Sequence, residues 1–176
     1  MDIQNLKQYY DKAKTELEYF RPIQTDIYEH VIPSKNTWRV AQTVVGARTD
    51  TFIYNSHPQT AAKSFADNMV SLTIPSGTRF FDIGTSDKLD DADTFYQDIE
   101  PISEKILGFL NSSNFYQAVN ESFLDLTAGT GGFTVNFNEK LNKLYFTSLD
   151  MSRVSFLEDN LGSISYVFNN LGIMNK

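Results

Sequence analysis

Residues 114–138 read NFYQAVNESFLDLTAGTGGFTVNFN, and the fold class turns on what changes in the middle of that stretch. Before the glycines, Phe115, Val119, Phe123 and Leu126 recur at three- and four-residue steps, the spacing of one helix face. Asn114 with Gln117 three residues on repeats a capping pattern and predicts the helix start. Gly129 to Gly132 end the helical run. After Gly132 the period falls to two: Phe133, Val135 and Phe137 alternate with Thr134, Asn136 and Asn138, as on a half-buried antiparallel strand. Helix therefore gives way to strand at one glycine-rich turn.

Upstream, the chain reads as helical. Leu6, Tyr9, Tyr10, Ala13, Leu17 and Phe20 form an apolar stripe over about 3–20, which Pro22 is expected to interrupt. A second short helix through Ile23, Ile27 and Val31 is expected to end at Pro33. Trp38, Val40, Val44 and Val45 fit helix or strand, and Thr49 to Tyr54 reads as extended. Ser56 with Gln59 predicts a capped helix, with Ala61, Ala62, Phe65, Ala66, Met69, Val70 and Leu72 on one broad apolar face. Pro75 and Gly77 stop it, and Arg79 to Ile83 reads as a short extended segment. Residues 84–93 form an acidic connection to a helix over about 92–111, in which Pro101 predicts a kink or split.

Downstream, Leu144-Tyr145-Phe146 is the expected partner of the 133–137 strand. Val154-Ser155-Phe156 and Ile164 to Val167 flank Asp159-Asn160-Leu161-Gly162, a hairpin turn. Helices over about 3–127 and strands over about 132–168 make an α+β chain, expected to form a single domain over residues 1–176.

Composition narrows the function classes. Fifteen Lys and Arg stand against twenty-two Asp and Glu, and the net charge of −7 argues against a tight, static grip on nucleic acid. Fourteen Phe and nine Tyr suit a packed core or a buried subunit contact. With no cysteine, the chain has no disulfide framework, thiolate metal site or thiol nucleophile. No apolar stretch approaches the length of a membrane span, and the first residues lack the pattern of a signal peptide. The expectation is an intracellular, soluble protein.

One motif resembles chemistry. Leu124-Asp125-Leu126-Thr127-Ala128-Gly129-Thr130-Gly131-Gly132 is similar to the glycine-rich first motif of class I S-adenosylmethionine-dependent methyltransferases, and Asp150 falls where their ribose-binding acid would stand. That motif belongs between a strand and a helix, early in an alternating βα chain. Here helical spacing precedes it, strand alternation follows it, and 26 residues remain after Asp150. The sequence supports a helix stop that feeds a hairpin. His30 and His57 lie near helix ends without the Asp or Glu spacing of a metal pair. Asp87, Asp90, Asp91 and Asp93 lack the glycine and distal glutamate of a calcium loop. No catalytic, cofactor-binding or metal residue is assigned, and the chain is read as a non-enzyme.

Three ordered stretches carry a resemblance. Gln59 to Pro75, QTAAKSFADNMVSLTIP, followed by Arg79-Phe80-Phe81, is one. Leu110-Asn111-Ser112-Ser113-Asn114-Phe115-Tyr116, running on to Phe123-Leu124-Asp125-Leu126 and Gly129-Thr130-Gly131, is the second. Leu157-Glu158-Asp159-Asn160-Leu161-Gly162-Ser163-Ile164 is the third. Together, over roughly 55–168, they resemble the head-to-tail connector (portal) proteins of short-tailed phages: a small-residue helix with an aromatic segment, a capped helix ending in a small-residue turn, and an acidic hairpin. The resemblance implies the wing-like body of a subunit in a homo-oligomeric ring of about twelve copies with heterologous contacts. It implies capsid, packaging motor and tail adaptor proteins as partners, with double-stranded DNA passing through rather than tightly bound. It implies location at the portal vertex of the virion, and in the host cytoplasm during assembly. Family members run to several hundred residues, so their stem and clip would lie outside this chain, which is then a fragment, a split subunit or a remnant. The alternatives are a methyltransferase fragment or a non-catalytic α+β interaction module.

Overall fold

The computed structural model describes residues 3–35, 55–83 and 92–170, with 92–98 described by backbone alone. Among the described residues four helices come first: α1 (Ile3–His30), α2 (His57–Thr73), α3 (Ala92–Ser112) and α4 (Phe115–Asp125). Four strands follow: β1 (Phe133–Asn138), β2 (Lys143–Ser148), β3 (Val154–Glu158) and β4 (Ile164–Asn169). β1 pairs antiparallel with β2, and β3 with β4, as two separate two-stranded sheets. The class is α+β, with helices in the N-terminal part and antiparallel hairpins after them, as expected from the switch of period at Gly132.

A lone two-stranded hairpin is marginal in water, so each hairpin must lean on a helix. The first leans on α4. Phe115, Ala118, Val119 and Phe146 form a buried cluster, joined by Val70, Phe80, Leu110 and Leu144. Phe115 is its hub: Phe80 stacks on it with centroids 5.9 Å apart, and Phe146 meets it edge-on at 5.1 Å. Such pairs add about 0.5–1.5 kcal/mol each beyond the area they bury. On its other side α4 packs on α2, whose buried Ala62 and Ala66 allow close approach of the two backbones. The second hairpin leans on α1, where Tyr9 stacks on Tyr166 at 5.1 Å and Tyr10 meets Phe168 edge-on at 5.5 Å.

Several local expectations change. Pro22 does not divide the N-terminal helix: α1 runs unbroken to His30. A proline inside a helix costs about 3 kcal/mol. Here tertiary contacts hold both halves, the first through Tyr9 and Tyr10, the second through Tyr28 and Ile32 against Ala128 and Leu124. α3 likewise contains Pro101 without being split. The apolar face of α2 is narrower than expected, since Phe65 and Leu72 are exposed. The segment 79–83 belongs to no strand; Arg79 ties it to Asp82 and to Glu100 of α3. The readings of Trp38, Val40, Val44 and Val45 and of Thr49 to Tyr54 lie outside the described residues. So does most of the acidic connection at 84–93, although α3 begins at Ala92.

Neither expected capping box forms. Ser56 makes no side-chain cap bond; the His57 N–H donates instead to Asn55 Oδ1 at 2.9 Å. Asn114 has a different use. Its Nδ2 donates to Phe146 O at 2.6 Å while its Oδ1 accepts from Phe146 N–H at 2.8 Å. One amide side chain thus imitates a strand partner on β2 and fixes the first hairpin to the start of α4. Ser113 Oγ takes over the cap, accepting from Phe115 N–H at 3.2 Å.

Candidate functional site

The glycine-rich stretch folds as a helix stop. α4 ends at Asp125, a 3-10 turn covers Leu126–Ala128, and Gly129 has φ 119°, a conformation open to glycine and strained for other residues. Gly131 lies against the Ser122 carbonyl so closely that no side chain fits there. The chain then enters β1. The order is helix, turn, antiparallel strand, the reverse of the strand–turn–helix that a methyltransferase motif requires. Asp150 is engaged locally: it accepts from Ser152 N–H at 3.1 Å and Ser152 Oγ at 2.6 Å, and pairs with Arg153 at 3.2 Å.

His30 Nδ1 lies 2.9 Å from Asp26 O within its own helix, and His57 is the first residue of α2. Asp87, Asp90 and Asp91 lie outside the described residues, as does the side chain of Asp93. Among the described residues no group of three or more His, Cys, Asp or Glu side chains could hold a metal ion.

The structure does bring together a polar cluster that the periodic reading missed. Asp125, only 2% exposed, is fixed by Lys35 Nζ at 2.7 Å and faces the Tyr28 hydroxyl at 3.4 Å. Lys35 also donates to Glu121 O at 2.6 Å. Burial pushes the Asp125 carboxyl above the usual carboxylate range, against the opposing pull of Lys35. Burial also pushes the Tyr28 phenol well above its ordinary value, helped by the negative charges of Asp125 and Asp150. Lys35 stands at the C-terminal end of α4, where the helix dipole favours a cation. The cluster ties the 33–35 turn and the end of α1 to the end of α4, so it works as a strut. A charged residue inside the apolar run Phe123-Leu124-Asp125-Leu126 was the one available signal, since a buried acid must find a partner. The partners, some 90 residues away in sequence, left no such mark.

The second feature is apolar surface. A cleft of about 310 Å³ runs between α1, the glycine-rich turn and β3. Leu17, Phe20, Ile23, Val154 and Phe156 line it, together with Gln24 and the carboxylates of Glu16 and Glu158. Phe20 and Ile23 are 63% and 62% exposed. Ile102, Ile106 and Phe109, at three- and four-residue spacing, make an exposed apolar stripe on α3. Val135 and Phe137 extend the core face of β1 into solvent. Exposed apolar side chains grouped in this way are suited to contacts with other molecules. No described helix is long and apolar enough to cross a membrane.

No curated protein sequence matches the chain. The family described as bacteriophage head to tail connecting protein matches residues 3–173, nearly the whole chain, and its structural role suits a molecule built of braced hairpins and uncovered apolar faces. The chain belongs to the bacteriophage head-to-tail connecting protein family.

Proposed function

We propose that this chain is a wing-like structural subunit of a connector ring at the portal vertex of a phage virion. The observation that carries the reading is the family match across residues 3–173. The exposed apolar residues of α1, α3 and β1 support it, because a ring subunit must hold surface in reserve for its neighbours. Head-to-tail contacts around a closed rotation then give a ring, of about twelve copies by resemblance. Capsid, packaging motor and tail adaptor proteins are its partners, and assembly takes place in the host cytoplasm. Double-stranded DNA passes through without being gripped, in keeping with a net charge of −7. In this reading residues 1–176 act as one domain with no catalytic, cofactor or metal residue.

The test is the native mass of the purified chain, by light scattering on a sizing column over a range of concentrations. A particle of about twelve subunits is expected of a ring that closes without further segments. A monomer at every concentration would refute ring closure by this chain alone.

A further inference from the structure

We propose that the tip of the first hairpin of one copy docks into the cleft between α1 and β3 of the next copy. The inference rests on the ring reading and names the contact that would build it. β1 and β2 run out from the core to the turn Glu139-Lys140-Leu141-Asn142 and on to Lys143. Leu141 stands there 66% exposed, with Lys140 and Lys143 exposed on either side. The turn is held in shape before any partner arrives. Asn138 Oδ1 accepts from the N–H groups of both Lys140 and Leu141, at 3.1 and 3.2 Å, and Asn142 takes a left-handed φ of 48°. A preshaped knob loses little entropy on docking.

The cleft offers the matching features. Its lining is mostly apolar, with Gln24 and Thr130 among it, and includes the carboxylates of Glu16 and Glu158. Lys12 approaches Glu16 only at 4.0 Å, in an exposed pair that contributes little. Leu141 with Lys140 and Lys143, against the one acid Glu139, makes a tip of net positive charge that suits a mostly apolar slot holding two carboxylates. The second hairpin provides a contrast. Its tip also exposes a leucine, Leu161 at 89%, but the charged residue in its turn is Asp159, with no lysine beside it, and an acidic tip is repelled by an acidic cleft. Charge thus selects the first hairpin over the second. Within one copy Leu141 remains exposed, so the contact is unmade there and waits for a second copy. Knob and cleft are different surfaces, so the contact is heterologous and can propagate to closure.

The experiment compares native mass against concentration, by sedimentation, for the unaltered chain and its variants. Circular dichroism melts confirm that each variant is folded. Leu141→Asp, and separately Lys140→Glu with Lys143→Glu, should weaken self-association by about tenfold or more, as for residues central to an interface. Leu161→Asp should leave it unchanged. Glu16→Lys with Glu158→Lys should weaken it too, and combining these with the two lysine reversals in one chain should restore it, because the attraction is re-formed with its signs exchanged. If the unaltered chain assembles and the tip variants assemble equally well, the ring reading stands and this contact is wrong. The contact is equally wrong if Leu161→Asp disrupts as much as Leu141→Asp, or if the exchanged charges fail to restore assembly. An unaltered chain that stays monomeric throughout overturns the contact and refutes ring closure by this chain alone.

Discussion

Replacing Lys35 with methionine should destabilise the protein at neutral pH and do so far less in acid. Lys35 is 22% exposed along its side chain and Asp125 is 2% exposed, so the change leaves a carboxylate buried without its cation. Two short bonds disappear, Lys35 Nζ to Asp125 Oδ2 at 2.7 Å and to Glu121 O at 2.6 Å, while the Tyr28 contact at 3.4 Å is too long to replace them. Hydrogen bonds to charged groups contribute about 1.5–3 kcal/mol each, and breaking one side of a buried pair costs about 3–5 kcal/mol. We expect a loss of about 3–5 kcal/mol at pH 7, or roughly 10 °C in Tm for a chain of this size.

The pH dependence follows from the direction of the Asp125 shift. Burial raises its folded pKa above the unfolded value of about 3.9, so the folded protein binds the proton more tightly. That contribution to stability is complete below the unfolded value and is lost as pH rises through the folded one. Lys35 opposes the shift, so removing it moves the folded pKa further up and widens the window. Denaturant unfolding followed by circular dichroism at pH 7 and near pH 4.5 measures both points. A Lys35→Met variant that loses the same stability at both pH values would falsify the account of a charged, desolvated Asp125. So would a loss below about 1 kcal/mol at pH 7, the scale of a surface pair.

Asn114→Ala removes both bonds to the Phe146 backbone and should cost about 2–3 kcal/mol, with faster amide exchange across β2 as the local signature. Unchanged exchange at Phe146 would show that the hairpin is held by packing alone. Gly131→Ala places a methyl group against the Ser122 carbonyl and should destabilise by several kcal/mol, on the scale of about 3–5, or prevent folding; a thermal melt close to that of the parent contradicts the close approach. Ser103 is fully buried and its Oγ has no hydrogen-bond partner among the described residues, so Ser103→Ala should be neutral or stabilise by up to about 1 kcal/mol. A clear drop in Tm would mean that the hydroxyl is satisfied after all.

The change of period at Gly132 already placed helices before antiparallel strands and turned the methyltransferase-like stretch into a helix stop. Both follow from local properties: alternation at Phe133, Val135 and Phe137 depends only on where successive side chains point along an extended chain. The hairpin turn at Asp159 to Gly162 was legible for the same reason, since Asp159 Oδ1 accepts from Leu161 and Ser163 within the turn itself. Local signals failed where a distant group competed for the same atoms. Asn114 carries a good capping side chain, but Phe146 on β2 claims both ends of its amide. Pro22 is a sound helix breaker, but contacts with β4 and with the 126–128 turn hold α1 on both sides of it. Asp125 could be flagged from the sequence as a charge in an apolar run, yet its partners Tyr28 and Lys35 are chosen by how the end of α1 crosses the end of α4. The order of elements follows from backbone periodicity, which each residue carries with it. The identity of a buried charge's partner depends on which chain segments meet, and only the tertiary structure decides that.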